Sequence, residues 1–342
     1  MSADRLFGRH CRCFLASPVK PQTPVSVDDR IQPSVVIKDS WTIYNTAPNK
    51  DDATDLEAEV NGLYIDDDNN SAFAWPSANP SLNTRVKFDE MRNEICTLSR
   101  INKALGVNPQ LDGLYPKLLC GGWVCQPTDT GQTFDSTGDI MFALNREQQD
   151  KTPFCLHVRY AMEPIGHPLK YLKSASELVV VLYDAMRCHK AINDSCNILH
   201  RDISDNNILV VRNGSRIHGL LIDFDCAIDR SAERQHVHPE RTGTLPFMSI
   251  GNLENSSVQR TMLDDWESLL YLVCWFGTFG VNGNCNDINC KHHINMWCVG
   301  DEDEIAALKR SDLTNIGNFE DNITGDFGKH DSNGADDVNK IL

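Results

Sequence analysis

Apolar positions fall into two kinds of run along the chain, and the kinds are unevenly distributed. Val35-Val36-Ile37-Lys38 is a short β-rich stretch ended by Asp39-Ser40, and strand-like runs recur around Tyr115–Leu119 and Cys155–Tyr160. Between them, Phe88, Met91, Ile95 and Leu98 are spaced by three, four and three. This places them on one face of a helix starting near Lys87 and stopped by Gly106 and Pro109. Beyond Glu163-Pro164-Ile165-Gly166, which reads as a hinge, helical patterns dominate. Ser174-Ala175-Ser176-Glu177 has the spacing of a capping box and opens a helix carrying Leu178, Leu182, Ala185 and His189 on one side. Ile198-Leu199 and Leu220-Leu221-Ile222 are short apolar strands, each running into charged residues. Asp264–Phe276 is apolar nearly all round, the pattern of a buried helix. After Gly280 the chain turns polar and Asn-rich, although Trp297 and Ala306-Ala307-Leu308-Lys309 suit one late helix.

This pattern predicts an α+β fold of two lobes. A small, mainly β lobe with one helix spans residues 1–162, a larger, mainly α lobe spans 163–310, and an acidic polar tail occupies 311–342. The first lobe contains a Pro-rich loop (17–34, with Pro18, Pro21, Pro24 and Pro33) and an acidic insertion (49–83).

Charge narrows the partners. The net charge is −16, concentrated in two places: residues 49–75 carry eight acids against Lys50, and residues 301–342 carry eleven acids against four bases. Such patches are solvated loops or tails, and they disfavour nucleic acid and anionic membrane, which need clustered Lys and Arg. The thirteen cysteines are scattered, and Met1-Ser2-Ala3-Asp4-Arg5 opens no apolar leader. The longest apolar run, Leu269 to Val281, is too short to span a bilayer. The expectation is a soluble protein of a reducing, intracellular compartment, cytoplasmic or nuclear.

The chemistry lies in His200-Arg201-Asp202-Ile203-Ser204-Asp205-Asn206-Asn207 and, 21 residues after Asp202, in Asp223-Phe224-Asp225. A hydroxyl nucleophile needs a carboxylate to orient it and take its proton, a role that suits Asp202. A nucleoside triphosphate needs Mg2+ to neutralise its charge, and Mg2+ prefers hard oxygen ligands, which Asn207 and Asp223 would supply. The spacing fits the H-R-D-x-x-x-x-N loop followed by a variant D-F-G of the protein kinases. Val35-Val36-Ile37-Lys38 then resembles V-A-I-K, with Lys38 on the phosphates of ATP and a helical glutamate beside it. Glu94 is favoured over Glu90 for that partner. Arg241-Thr242-Gly243-Thr244-Leu245-Pro246-Phe247 resembles the end of an activation segment, with Thr244 bonding towards Asp202. Asp265, in Asp264-Asp265-Trp266-Glu267-Ser268, would hold the catalytic loop from beneath, and it also suits a helix N-terminus.

Taken together with Lys38-Asp39-Ser40-Trp41, these runs resemble the fungal-type protein kinase family over roughly residues 5–310. Gly8-Arg9 is similar to that family's opening strand, and Glu163-Pro164-Ile165-Gly166-His167-Pro168-Leu169 to its hinge. Ser249-Ile250 is similar to the casein kinase I-like group. The resemblance implies a bilobal protein-kinase-like fold that transfers the ATP γ-phosphate to Ser or Thr of a protein substrate. It also implies Mg2+ as cofactor. Asp202, Lys38, Glu94, Arg201 and Thr244 would be the catalytic set, and Lys38, Glu163, Asn207 and Asp223 the nucleotide and metal contacts.

The chain departs from the general kinase pattern in four places. No G-x-G-x-x-G precedes Lys38; Ser204 stands where a lysine is common; Asp225 replaces the glycine of D-F-G; and Ser249-Ile250-Gly251 replaces A-P-E, removing the glutamate that anchors the segment. Two other readings therefore stay open. One is a pseudokinase that binds or scaffolds. The other is a small-molecule kinase of the choline or aminoglycoside type, against which Arg201 and the long stretch from Asp223 to Thr244 argue. Cys285, Cys290, His292, His293 and Cys298 have the spacing C-x4-C-x-H-H-x4-C without paired C-x2-C halves, and read as an Asn-rich loop rather than a zinc site. Arg230, Arg234, His236, His238 and Arg241 surround Ser231 and Thr242 and read as a basic loop able to meet a phosphate.

Overall fold

The structure is a computed structural model, and it describes residues 11–16, 34–44, 94–128, 131–135, 154–231, 242–254, 260–280 and 292–327. Gly8-Arg9, the Pro-rich loop up to residue 33, the acidic insertion, Phe88, Glu90, Met91, Arg234, His236, His238, Arg241, Cys285, Cys290 and the tail from residue 328 lie outside them. The chain is mixed α and β. It divides into one unit of residues 1–96 and 117–164 and a second of residues 97–116 and 165–342.

The first unit is built on an antiparallel sheet ordered β1-β2-β6-β3, from β1 (Arg12–Ala16), β2 (Val35–Tyr44), β6 (Phe154–Glu163) and β3 (Lys117–Trp123). A separate hairpin joins β4 (Cys125–Thr128) to β5 (Gly131–Phe134). β2 does not end at Asp39-Ser40 as its pattern predicts; it runs on to Tyr44, in register with β6 down to Tyr44↔Phe154. The reason is a cross-strand pair. Asp39 lies opposite Arg159, whose guanidinium donates two bonds to it at 2.6 and 3.0 Å, so a charge that would end an isolated strand is satisfied inside the ladder. This arginine, with His157, holds the Asp39 carboxyl below its ordinary range against the opposing effect of burial.

The second unit holds the long helix α2 (Ala175–Cys196), a sheet ordered β10-β9-β7 and a two-stranded pair of β8 (Ile198–Leu199) with β11 (Ile228–Asp229). β7 is His167–Pro168, β9 Ile208–Asn213 and β10 Arg216–Leu221. The helical part continues with α3 (Ile250–Glu254), α4 (Met262–Phe279), α5 (Glu302–Thr314) and α6 (Ile316–Asn322). The helix α1 (Glu94–Leu105) begins in the first unit and passes into the second at Thr97.

Ser174 caps α2 by accepting from the Glu177 N–H. The reciprocal half of the predicted box differs, because Glu177 turns back to the Lys173 N–H at 2.7 Å. Leu178, Leu182, Ala185 and His189 are all buried. α2 lies so close to β10 that a Cβ on Gly219 would stand 2.2 Å from the Val181 carbonyl oxygen, which explains a glycine inside a strand. α4 departs from its all-round apolar pattern: Leu269, Leu272 and Phe276 are buried, whereas Leu263, Leu270 and Val273 are exposed. No described helix is long and apolar enough to cross a membrane.

Candidate active site

The first unit carries one buried charge cluster. In the sheet Lys38 stands directly opposite Tyr160, so both side chains leave the same face. Both donate to the Glu94 carboxylate in the first turn of α1, Lys38 through its ammonium and Tyr160 through its hydroxyl. Lys38 is 3% exposed and Glu94 2%, so an ionic pair is held out of water with the Tyr160 hydroxyl as a further donor to the carboxylate. The Lys38–Glu94 pairing is the one favoured from the sequence. Tyr160 is a third member that the sequence did not single out, since only strand register places it there. Glu163, the expected hinge contact, ends β6 with its side chain 3.6 Å from Lys117 Nζ.

The catalytic-loop motif lies in the second unit, where Asp265 organises it. This carboxylate, buried in the first turn of α4, accepts the His200 N–H at 2.9 Å and the Arg201 N–H at 3.0 Å. It also accepts His189 Nε2 at 2.6 Å. Burial pushes its pKa up, but His189 and His200 outweigh that and hold it below the ordinary carboxylate range. The grip has a local purpose. Arg201 has φ 70°, a left-handed backbone that costs a non-glycine residue about 1 kcal/mol or more, and the two amides fixed by Asp265 flank the turn entering it.

The loop beyond is fixed in the same manner. The Asn207 amide nitrogen donates to the Asp202 carbonyl oxygen at 2.8 Å, and the Ile222 N–H donates to the Asn207 carbonyl at 2.9 Å. His200 Nε2 donates to the Ile222 carbonyl at 2.9 Å, and its ring lies 4.8 Å from that of buried Phe224. These bonds bring the catalytic loop and the Asp223-Phe224-Asp225 run together. Asp223, at φ 65°, is another non-glycine residue in the left-handed region, as is Asn197. The Asn207 amide nitrogen is committed to Asp202, and its amide oxygen and the Asp223 carboxylate are hard-oxygen groups, the type of donor that Mg2+ takes.

Thr244 arrives from the far end of the activation segment and donates its hydroxyl to Asp202 Oδ1 at 3.0 Å. Gly243, at φ 125°, lets the chain enter there, where a Cβ would press on the Arg201 carbonyl at 3.3 Å. Arg260, which the sequence reading did not single out, clamps the same region, donating to the Arg201 carbonyl at 3.2 Å and the Thr242 carbonyl at 2.9 Å. A pocket lined by Arg201, Asp202, Thr244, Phe247 and Met248 lies along this wall. Ser204 is buried, and its hydroxyl has no hydrogen-bond partner among the described residues. Of the histidines in the zinc-like spacing, His292 pairs with Asp326 and His293 with Asp312.

The fold and these residues define a protein of the protein-kinase class. The family model for fungal protein kinases matches residues 1–277, and the chain belongs to that family. No curated protein sequence matches it.

Proposed function

We propose that the chain is an ATP-dependent protein kinase that phosphorylates Ser or Thr hydroxyls, with residues 1–162 as its N-lobe and residues 163–310 as its C-lobe. The observation that carries this reading is the Thr244–Asp202 bond on a loop whose backbone is held by Asp265. It leaves one Asp202 oxygen committed to orientation and the other to meet an incoming alcohol.

In this reading Asp202 accepts the hydrogen bond of the acceptor hydroxyl and takes its proton as the alcohol attacks. Thr244 keeps the carboxylate from rotating away. Lys38 holds the α- and β-phosphates, and Glu94, itself held by Tyr160, keeps its side chain aimed. The backbone at Glu163 receives the adenine. Asn207 and Asp223 would hold Mg2+, whose charge would offset that of the triphosphate. Arg201 adds positive charge beside the segment. Catalysis rests on positioning and electrostatics, without a covalent intermediate.

Transfer of labelled phosphate from ATP to a panel of protein acceptors tests this. Asp202→Asn should lower the rate by about 10²-fold or more with Mg-ATP binding retained, whereas Asp223→Ala should lose both. An unchanged rate in either variant removes the assigned role. A binding or scaffolding module is the second reading, favoured by the buried, unpartnered Ser204 hydroxyl where a phosphate-facing lysine is common. Mg-ATP binding by thermal shift without transfer to any acceptor would select it.

A further inference from the structure

Ser249-Ile250-Gly251 lacks the glutamate that anchors an activation segment, yet the segment is anchored. On one side α4 holds it. The Ser249 hydroxyl donates to Asp264 at 2.7 Å, and the Ile250 N–H donates to Glu267 at 2.7 Å. On the other side stands Lys309, in the middle of α5 and beyond the end of the family match at residue 277. It is fully buried, and its ammonium donates to the carbonyls of Pro246 and Met248, both at 2.8 Å. The same ammonium sits 3.9 Å from the centre of the Tyr271 ring and 5.4 Å from that of Trp297, which are packed edge to face. Leu245, Met248 and Ile250 pack on a core formed by Leu253, Ile305 and Ala306, so α5 supplies both the polar anchor and the apolar seat.

A lysine is an expensive choice for a fully buried site unless its charge has fixed partners. Here two carbonyls and two ring faces supply them. The carbonyls belong to the stretch directly after Thr244, whose hydroxyl touches Asp202. Phe247 and Met248 of this stretch line the pocket beside Asp202, which sets them in the path of an acceptor chain presenting its hydroxyl there. We propose that Lys309 is a positioning residue for the protein acceptor. It fixes the carbonyls of Pro246 and Met248 so that the Leu245–Met248 stretch forms a rigid wall beside Asp202.

This proposal rests on the kinase reading, and its test separates the two. Lys309→Met keeps the apolar stem on Tyr271 and Trp297 and removes both donors. KM for a protein acceptor should rise about tenfold or more, with KM for ATP within about twofold of the parent. Amide hydrogen exchange should quicken in residues 245–250, while the Asp265-held amides of His200 and Arg201 stay protected. Lys309→Gln, which restores neutral donors, should recover part of the acceptor affinity, and it carries the test where the methionine variant fails to fold. An unchanged acceptor KM, or an equal loss for acceptor and ATP, overturns the proposal. Absence of transfer by the parent protein defeats the kinase reading instead. Hydrogen exchange at 245–250 then still decides whether Lys309 holds the wall, and unchanged exchange there overturns that claim.

Discussion

The two units solve the same problem, holding a charge in a set place, by opposite means. In the first, a side chain is fixed: Lys38 is aimed by a carboxylate and a phenol that strand register and the start of α1 bring beside it. In the second, the backbone is fixed: Asp265 grips amides, Asn207 grips a carbonyl, and the carboxylate of Asp202 rides on a loop already set. The first arrangement converges on one carboxylate, Glu94, that holds two side chains. The second converges on another, Asp265, that holds a side chain and two backbone amides.

Asp265→Asn breaks the second arrangement and should produce the largest effect. Replacing the charge beneath His189 and the two loop amides should cost about 3–5 kcal/mol in chemical unfolding at neutral pH, with transfer lost in parallel. A change under about 1 kcal/mol would show that the loop holds its own shape. The same variant sharpens the acid limb. Because the folded Asp265 pKa lies below the unfolded one, its stabilisation is present above the ordinary carboxylate pKa of about 4 and is lost as pH falls through the depressed value. Stability of the parent should therefore fall more steeply below about pH 4 than that of Asp265→Asn.

Tyr160→Phe tests the first arrangement. It removes one of two donors to a buried carboxylate, so about 1–2 kcal/mol should be lost, with KM for ATP raised several-fold through a less well held Lys38. Arg159→Gln, one residue along the same strand and so on the opposite face of the sheet, should cost under about 1 kcal/mol, since the arginine of the pair is 44% exposed. If Arg159→Gln proved more damaging than Tyr160→Phe, the stability of the first unit would lie in the Asp39 face rather than in its buried pair.

The residues that sequence reading found and missed divide along the same line. The Thr244–Asp202 bond and the meeting of the Asp202 loop with the run at Asp223 were legible because motif residues stand at fixed intervals along the chain. Lys38 and Glu94 were legible because a strand followed by a helix offers few candidates. Tyr160, Arg260 and Lys309 were not, because each acts across a long sequence separation through a neighbour's backbone or face, and their local sequence is ordinary. The continuation of β2 past Asp39 was hidden for a related reason: the charge that argues against a strand is cancelled by Arg159 on another one. The exposed stripe of Leu263, Leu270 and Val273 shows the converse, since hydrophobicity around a helix records what it can bury and not what covers it.

The grip of Asp265 on His200 and Arg201 has one more consequence. An amide hydrogen is common to every residue except proline, so at position 201 the handle survives any exchange but that one. At position 200 the ring is itself tied, to the Ile222 carbonyl and against Phe224, so an exchange there cuts the loop from the neighbouring run. The acid beneath the loop thus tolerates revision above one of its two amides and not above the other.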